Sequence, residues 1–234
     1  MGSISRTQAL DDLVGGGSPP ITPAPWWELL GVEKKDIRTN TVRVEADPLL
    51  YKLGNASAKL WNELNYEKRQ LFFRGELTPE KMKEAGRKYY YKYRDLLKVN
   101  AGQVIRLNDG EWRSFFKLLK LKKQGKLPPH IRKVSPPGYW KDRALGKRRL
   151  IIIIRSDRYY IEKVGEDWGY IVLKDFNKRI RYYGKLMWSG KQGDLKIIYR
   201  DGGWVAHIAV EVGVRPPKWN RRGYVEGARR IKKN

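Results

Sequence analysis

The sequence predicts an α+β fold: a small antiparallel β-barrel with a basic helical lobe inserted into it. Three observations carry this. A lone alternating segment, Thr41 to Ala46, precedes a long helical stretch. Apolar residues then recur at helical spacing to about Leu119. From Arg148 onward the pattern changes to short strands separated by turn residues. Periods near 3.6 and near 2 belong to helices and strands respectively, so the switch marks a change of architecture along the chain.

The lone segment TVRVEA alternates β-branched and charged residues, as a half-buried strand does. Asp47 and Pro48 follow as a helix start, one able to accept free amides and the other preset for the first turn. Leu49, Leu53, Ala56, Leu60 and Leu64 form one apolar stripe in a helix reaching about Phe73, and Gly75 stops it. Thr78 and Pro79 start a second helix with Met82, Ala85, Tyr89, Tyr93 and Leu96 on one face. Asn100 and Gln103 have capping-box spacing for a third helix carrying Val104, Leu107, Trp112, Phe115 and Leu119. Asn108, Asp109 and Gly110 are expected to weaken or kink it. Pro128-Pro129 and Pro136-Pro137 then impose an extended course.

Six strand-like segments follow: RLIIII, RYYIEK, GYIVLKD, KRIRYYG, DLKIIYRD and GWVAHIAVEV. Turns are expected at Ser156-Asp157, Gly165 to Asp167, Asp175 to Asn177, Gly190 to Gly193 and Asp201 to Gly203. This spacing suggests a meander closing into a barrel, with the early strand joining the sheet and the helices inserted between. The expected organisation is a leader with a short helix over 1–40, a barrel from 41–47 and 131–214, a helical lobe over 48–130, and a basic tail over 215–234. The leader contains VGGGSPPITPAP, too poor in apolar surface to order itself, followed by PWWELLG as a short helix.

Charge narrows the function. Among 234 residues, 50 Lys and Arg face 25 Asp and Glu, a net charge of +25 that repels itself unless a polyanion neutralises it. Nine Trp and 14 Tyr distinguish the chain from a disordered basic tail. The absence of Cys excludes disulfides, zinc ribbons and thiol nucleophiles, and fits a cytoplasmic protein. No apolar run approaches the ~18 residues of a spanning helix, and no signal or transit pattern opens the chain, so a soluble protein without membrane contact is expected.

His130 and His207 each stand alone, without a partner at metal-ligand spacing. Asp194, Asp201 and Glu211 fall in turns and strands without the clustering of two-metal chemistry. Gly15 to Gly17 lack the following Lys and Ser/Thr of a phosphate loop. No catalytic residue, metal site or cofactor is therefore predicted.

What remains is cations interleaved with rings, the composition that neutralises phosphates and stacks on bases. The helical part contributes Lys88, Tyr90, Lys92, Arg113, Lys120, Lys122, Lys123 and Lys126. The extended arm and its exit contribute Arg132, Lys133, Tyr139, Trp140, Lys141, Arg143, Arg148 and Arg149. Tyr89, Tyr93, Trp112 and Phe115 sit on the apolar period and read as core, whereas Tyr90, Tyr91, Tyr139 and Trp140 sit off it.

From about residue 41 to 214 the chain resembles the N-terminal part of the TnpB (OrfB) transposon proteins, RNA-guided nucleases encoded by insertion sequences, most closely their archaeal members. The residues that carry this are TVRVEADPLL, LWNELNYEKRQLFF, NAGQVIRLNDGEWRSFFKLLKLKKQGKLPP, SPPGYWKDR, YIVLKDF and GKQGDLKIIY. The resemblance implies a wedge-like barrel interrupted by a recognition lobe, together holding guide RNA and heteroduplex and reading a short motif beside the target. That division of labour leaves sequence to base pairing and the motif to protein. By position, the first and third helices would face the motif-bearing duplex, adding Tyr51, Asn55, Gln103 and Arg106 as site residues. Gln suits the edge of adenine and Arg that of guanine.

Family members continue past a segment like VEVGV into a RuvC-like nuclease, whose first Asp lies in a Gly-Ile-Asp-Leu-Gly type motif. Here Gly223 and Tyr224 lead to Val225, Glu226, Gly227, Ala228 and Arg229 without such an Asp. The expectation is a TnpB-like portion that binds structured guide RNA, with double-stranded DNA as a second possible partner, and that does not cut on its own. The alternatives are a non-catalytic subunit of a split transposase or RNA-guided nuclease, and a nuclease-less DNA-binding repressor.

Overall fold

The computed structural model describes residues 34–141 and 146–214. Residues 1–33 of the expected leader, with the PWWELLG helix, lie outside the described residues, as do the basic tail and Arg143; residues 34–40, expected as leader, belong instead to the first strand, which begins at Lys34 rather than Thr41. The elements are β1 (Lys34–Val44), α1 (Pro48–Phe73), α2 (Pro79–Leu97), α3 (Ala101–Lys123), β2 (Ile151–Ile154), β3 (Tyr159–Lys163), β4 (Trp168–Leu173), β5 (Lys178–Tyr183), β6 (Lys191–Arg200) and β7 (Gly203–Val214). Helices and antiparallel sheet together make the fold α+β.

Local chemistry sets the helix ends. The Asp47 side chain accepts from the Leu49 amide at 2.8 Å, ahead of Pro48. Gly75, at φ +74°, supplies the left-handed residue that ends α1. Thr78 caps α2 by accepting from the Lys81 amide, and Gly125 at φ +68° closes α3.

Asn100 departs from the capping box expected of it. Its side chain makes no cap bond; it donates to Asp175 at 3.2 Å and accepts from the Arg155 amide at 3.1 Å. A short 3-10 turn, Lys98–Asn100, joins α2 to α3 instead, so Asn100 ties the helical lobe to the sheet. The expected weak point at Asn108 to Gly110 is also absent, since α3 runs unbroken to Lys123. Asn108 is fully buried and accepts from Lys68 at 2.9 Å, while Asp109 forms a short ion pair with the same amine. In the stretch that looked like a helix defect, Asp109 neutralises a buried cation and Asn108 accepts a further hydrogen bond from it.

The sheet runs β2-β6-β7-β1-β5-β4-β3, so it is not a simple meander. The β3-β4-β5 meander and the β6-β7 hairpin are joined through β1, the strand preceding all three helices. The ladder does not close: β2 and β3 are its edges. Side chains bridge where a closed barrel would have a ladder, with Gln192 donating to the Ser156 and Tyr159 carbonyls and the Tyr159 hydroxyl donating to Gly193 O at 2.8 Å. The turn expected over Gly190 to Gly193 is displaced, because β6 already starts at Lys191 and the irregularity is a register shift between Gln192 and Leu195.

One core joins the helical and sheet layers. Leu50, Leu53, Leu60, Trp61 and Leu64 of α1 are buried with Val104 of α3 and with Ile152, Ile154, Leu195, Ile197 and Trp204 of the sheet. Gly54 allows the close approach: a Cβ there would lie 2.9 Å from Leu150 Cβ and 3.2 Å from the Trp204 ring.

Candidate nucleic-acid interface

The third helix ends in a cluster of cations and gives way to an extended strap, 127–141. The last turn of α3 carries Lys120, Lys122 and Lys123, and Gly125 turns the backbone away before Lys126. Lys120, Lys122, Lys123, Lys126, Arg132 and Lys133 are all exposed, and none meets a carboxylate among the described residues. Arg148 and Arg149, exposed just before β2, share that condition, and Lys141 bridges to Arg148 through the backbone.

The strap holds its course without helix or sheet because one face of α1 satisfies its carbonyls. Trp61 Nε1 donates to Gly138 O at 2.9 Å, Asn65 Nδ2 to Pro137 O at 2.9 Å, and Arg69 to Pro137 O at 2.9 Å. Asn62 accepts from the Trp140 amide at 2.8 Å. Asn65 also accepts from Trp112 Nε1 at 3.0 Å, linking the clamp to α3. Trp61, Asn62, Asn65 and Arg69 recur at one-turn spacing on α1, a polar seam beside the apolar stripe that the sequence pattern alone had hidden.

Trp140, expected to stack on bases, is buried. Its ring lies parallel to Trp61 at 4.5 Å between centroids with 10° between planes. An extended chain alternates its side chains, so Trp140 inward leaves Tyr139 outward, and Tyr139 is exposed.

The cations of α2 have a different fate. Lys88 pairs with Glu67 and Lys92 with Glu63, both at 2.7 Å, and both ammonium groups flank the Tyr89 ring. Burial, then the neighbouring Glu67 and Glu63, push the Tyr89 hydroxyl up. This is a seam between α1 and α2. Tyr90 is half-buried against the core, and only Tyr91 of that run is well exposed, beneath the Arg94 guanidinium.

The residues expected to face a duplex fall into two separate cavities. Tyr51 and Asn55 line one of about 600 Å³ with Arg148, Arg149 and Tyr199. Tyr51 is held edge-on against Trp204 at 5.2 Å, and Asn55 donates to Tyr51 O. Gln103 and Arg106 line another of about 650 Å³, between α3 and the sheet, with Asp194, Lys196 and His207. Gln103 is buried there and Arg106 exposed. Arg113 belongs to neither; it faces a third cavity beside Met82 and Phe116 and donates to Asp109 O. His207, which stands alone in the sequence, contacts Thr41 at 3.2 Å. Burial, then Arg200 and Lys196, lower its pKa, so it is disfavoured as a further cation in this cavity. Nothing local to His207 in the sequence could reveal that neighbourhood, which depends on the β6-β7 and β7-β1 pairings.

Among the described residues no group of three or more His, Cys, Asp or Glu is placed to hold a metal ion, and no helix is long and apolar enough to cross a membrane. No protein-family model matches the chain. It is 46% identical over 220 residues to the TnpB-like protein ORF457 of Acidianus two-tailed virus, an alignment covering 91% of this chain and 47% of that protein. The chain thus spans about half the length of that curated relative. The likeness to that TnpB-like protein runs along nearly the whole of this chain.

Proposed function

We propose that the chain is the nucleic-acid-binding N-terminal portion of a TnpB-like protein, binding structured guide RNA and target-adjacent duplex DNA without cutting either. In this reading the open sheet takes the place of the wedge-like barrel, and 48–130 acts as a recognition lobe. The observation that carries it is the unneutralised cation track of the α3 end and the strap, on a chain of net charge +25. Cations that the fold itself does not neutralise attract phosphates and release counterions on binding. Lys120 to Lys126, Arg132, Lys133 and Lys141 track RNA phosphates, and Arg143 is assigned the same role on its sequence position alone. Arg148 and Arg149 bring the same charge to the cavity of Tyr51 and Asn55, while Arg106 is the exposed cation of the cavity it shares with the buried Gln103. The protein works in the cytoplasm, without a cofactor.

The test is affinity for RNA hairpins against salt. A contact set of several phosphates gives a log-log slope of roughly −0.7 to −0.9 per phosphate. Affinity that stays flat between low and moderate salt overturns the reading. Incubation with Mg²⁺ and DNA tests the second half: cleavage that co-purifies with the chain and survives repurification contradicts binding without cutting.

A further inference from the structure

We infer that Tyr66, Arg69, Phe73 and Tyr139 form a preorganised shelf for unpaired bases of a single-stranded nucleic acid, resting on the proposed nucleic-acid-binding reading. Phe73 is 65% exposed, Tyr66 57% and Tyr139 45%, an unusual grouping of large rings in water. Tyr66, Arg69 and Phe73 fall at i, i+3 and i+7 on α1, one face of the helix. The Arg69 guanidinium lies over the Phe73 ring at 5.4 Å and over the Tyr139 ring at 5.6 Å, so helix and strap meet in one surface.

The surface is rigid. Arg69 donates to the Pro137 carbonyl while its plane sits between the rings, and the strap on either side of Tyr139 is held by Trp61, Asn65 and Asn62. The buried Trp140 stack fixes the neighbouring residue, so the Tyr139 ring is positioned before any ligand arrives. Charge selects the occupant. Lys133 and Arg132 precede Tyr139 by six and seven residues, a reach of at most ~25 Å along the strap, and neither is neutralised by the fold. A guanidinium between two exposed rings, with unpaired cations alongside, matches the π-face of a base joined to its phosphate. Fully paired duplexes hide those faces in their own stack, which leaves unpaired nucleotides as the fitting ligand.

The experiment uses the full chain and three probes: a short unstructured RNA carrying a fluorescent adenine analogue quenched on stacking, its DNA counterpart, and an RNA duplex. The wild type binds and quenches both single strands, since stacking does not require the 2′-hydroxyl. Phe73→Ala and Tyr139→Ala each weaken single-strand binding by about fivefold or more, reduce the quench, and leave duplex affinity within about twofold, because base stacking is worth at least ~1 kcal/mol per base. Tyr139→Phe keeps affinity and quench. Unchanged single-strand binding in the alanine variants overturns the shelf, as does an equal loss for duplex and single strand. A wild type that binds duplex but not single strands also overturns the shelf alone, whereas one that binds no probe overturns the nucleic-acid reading beneath it.

Discussion

Helix α2 and the end of α3 carry a similar sequence signal, cations interleaved with large apolar side chains, and the fold treats them in opposite ways. On α2, Lys88 and Lys92 close onto Glu67 and Glu63 of α1, and Tyr89 and Tyr93 are buried beneath them. On α3 the neighbours of Lys120, Lys122 and Lys123 are other cations and a proline-rich strap, with no carboxylate in reach among the described residues. Both runs are rich in cations; the deciding variable is what the packed partner helix offers. A basic run facing a glutamate-bearing helix is a seam, and one facing solvent is a field.

Breaking the field should have the largest effect. Charge reversal at Lys120, Lys122, Lys123 and Lys126 removes four phosphate contacts, lowering the magnitude of the salt slope for RNA by ~3 to 4 and affinity by orders of magnitude at low salt. Filter binding across a salt series measures both. The strap's anchor comes next. Trp140→Ala removes a buried ring stacked on Trp61, and a loss of ~3 to 5 kcal/mol in denaturant stability is expected. A loss under ~1 kcal/mol would mean the strap is not held by that stack.

Some of this was open to a sequence reader. Asp47-Pro48 and Thr78-Pro79 are local signals, and the structure uses both as helix starts because a cap needs only its own next few amides. Asn100 carries an equally good local signal, but Asp175 and the Arg155 amide, 75 and 55 residues away, take its side chain instead. The same holds for Trp140, whose exposure depended on whether Trp61 lay opposite, and for Lys68, whose burial needed Asn108 and Asp109 from another helix. Strand positions were legible from alternation; strand order was not, because the place of β1 between β7 and β5 is a pairing across the whole chain. The separate cavities of Tyr51 with Asn55 and of Gln103 with Arg106 follow from that order.

Breaking the seam should do little to binding. Lys88→Gln or Lys92→Gln costs at most ~1 kcal/mol of stability, these being largely exposed pairs. RNA affinity should change by less than about twofold for either, since each cation is already matched by a carboxylate.

The smallest effect concerns a third matched cation. Arg155 beside Asp157 holds that carboxyl down at about 2, from an ordinary 3.8. Because the folded value lies below the unfolded one, the stabilisation is present above pH 3.8 and is lost as pH falls toward 2. Asp157→Asn should therefore melt slightly below the wild type near neutral pH, with the gap closing between those two values. A gap independent of pH would mean the pair contributes nothing through its charge.

The comparison itself is tested most directly by one paired measurement: the salt slope of RNA-hairpin binding for Lys88→Gln/Lys92→Gln against Lys122→Gln/Lys126→Gln. Both variants remove the same formal charge. The slope should stay at the wild-type value for the first and fall in magnitude by ~1.4 to 1.8 for the second. Equal slopes in the two variants would contradict the division of this chain's cations into a seam and a field.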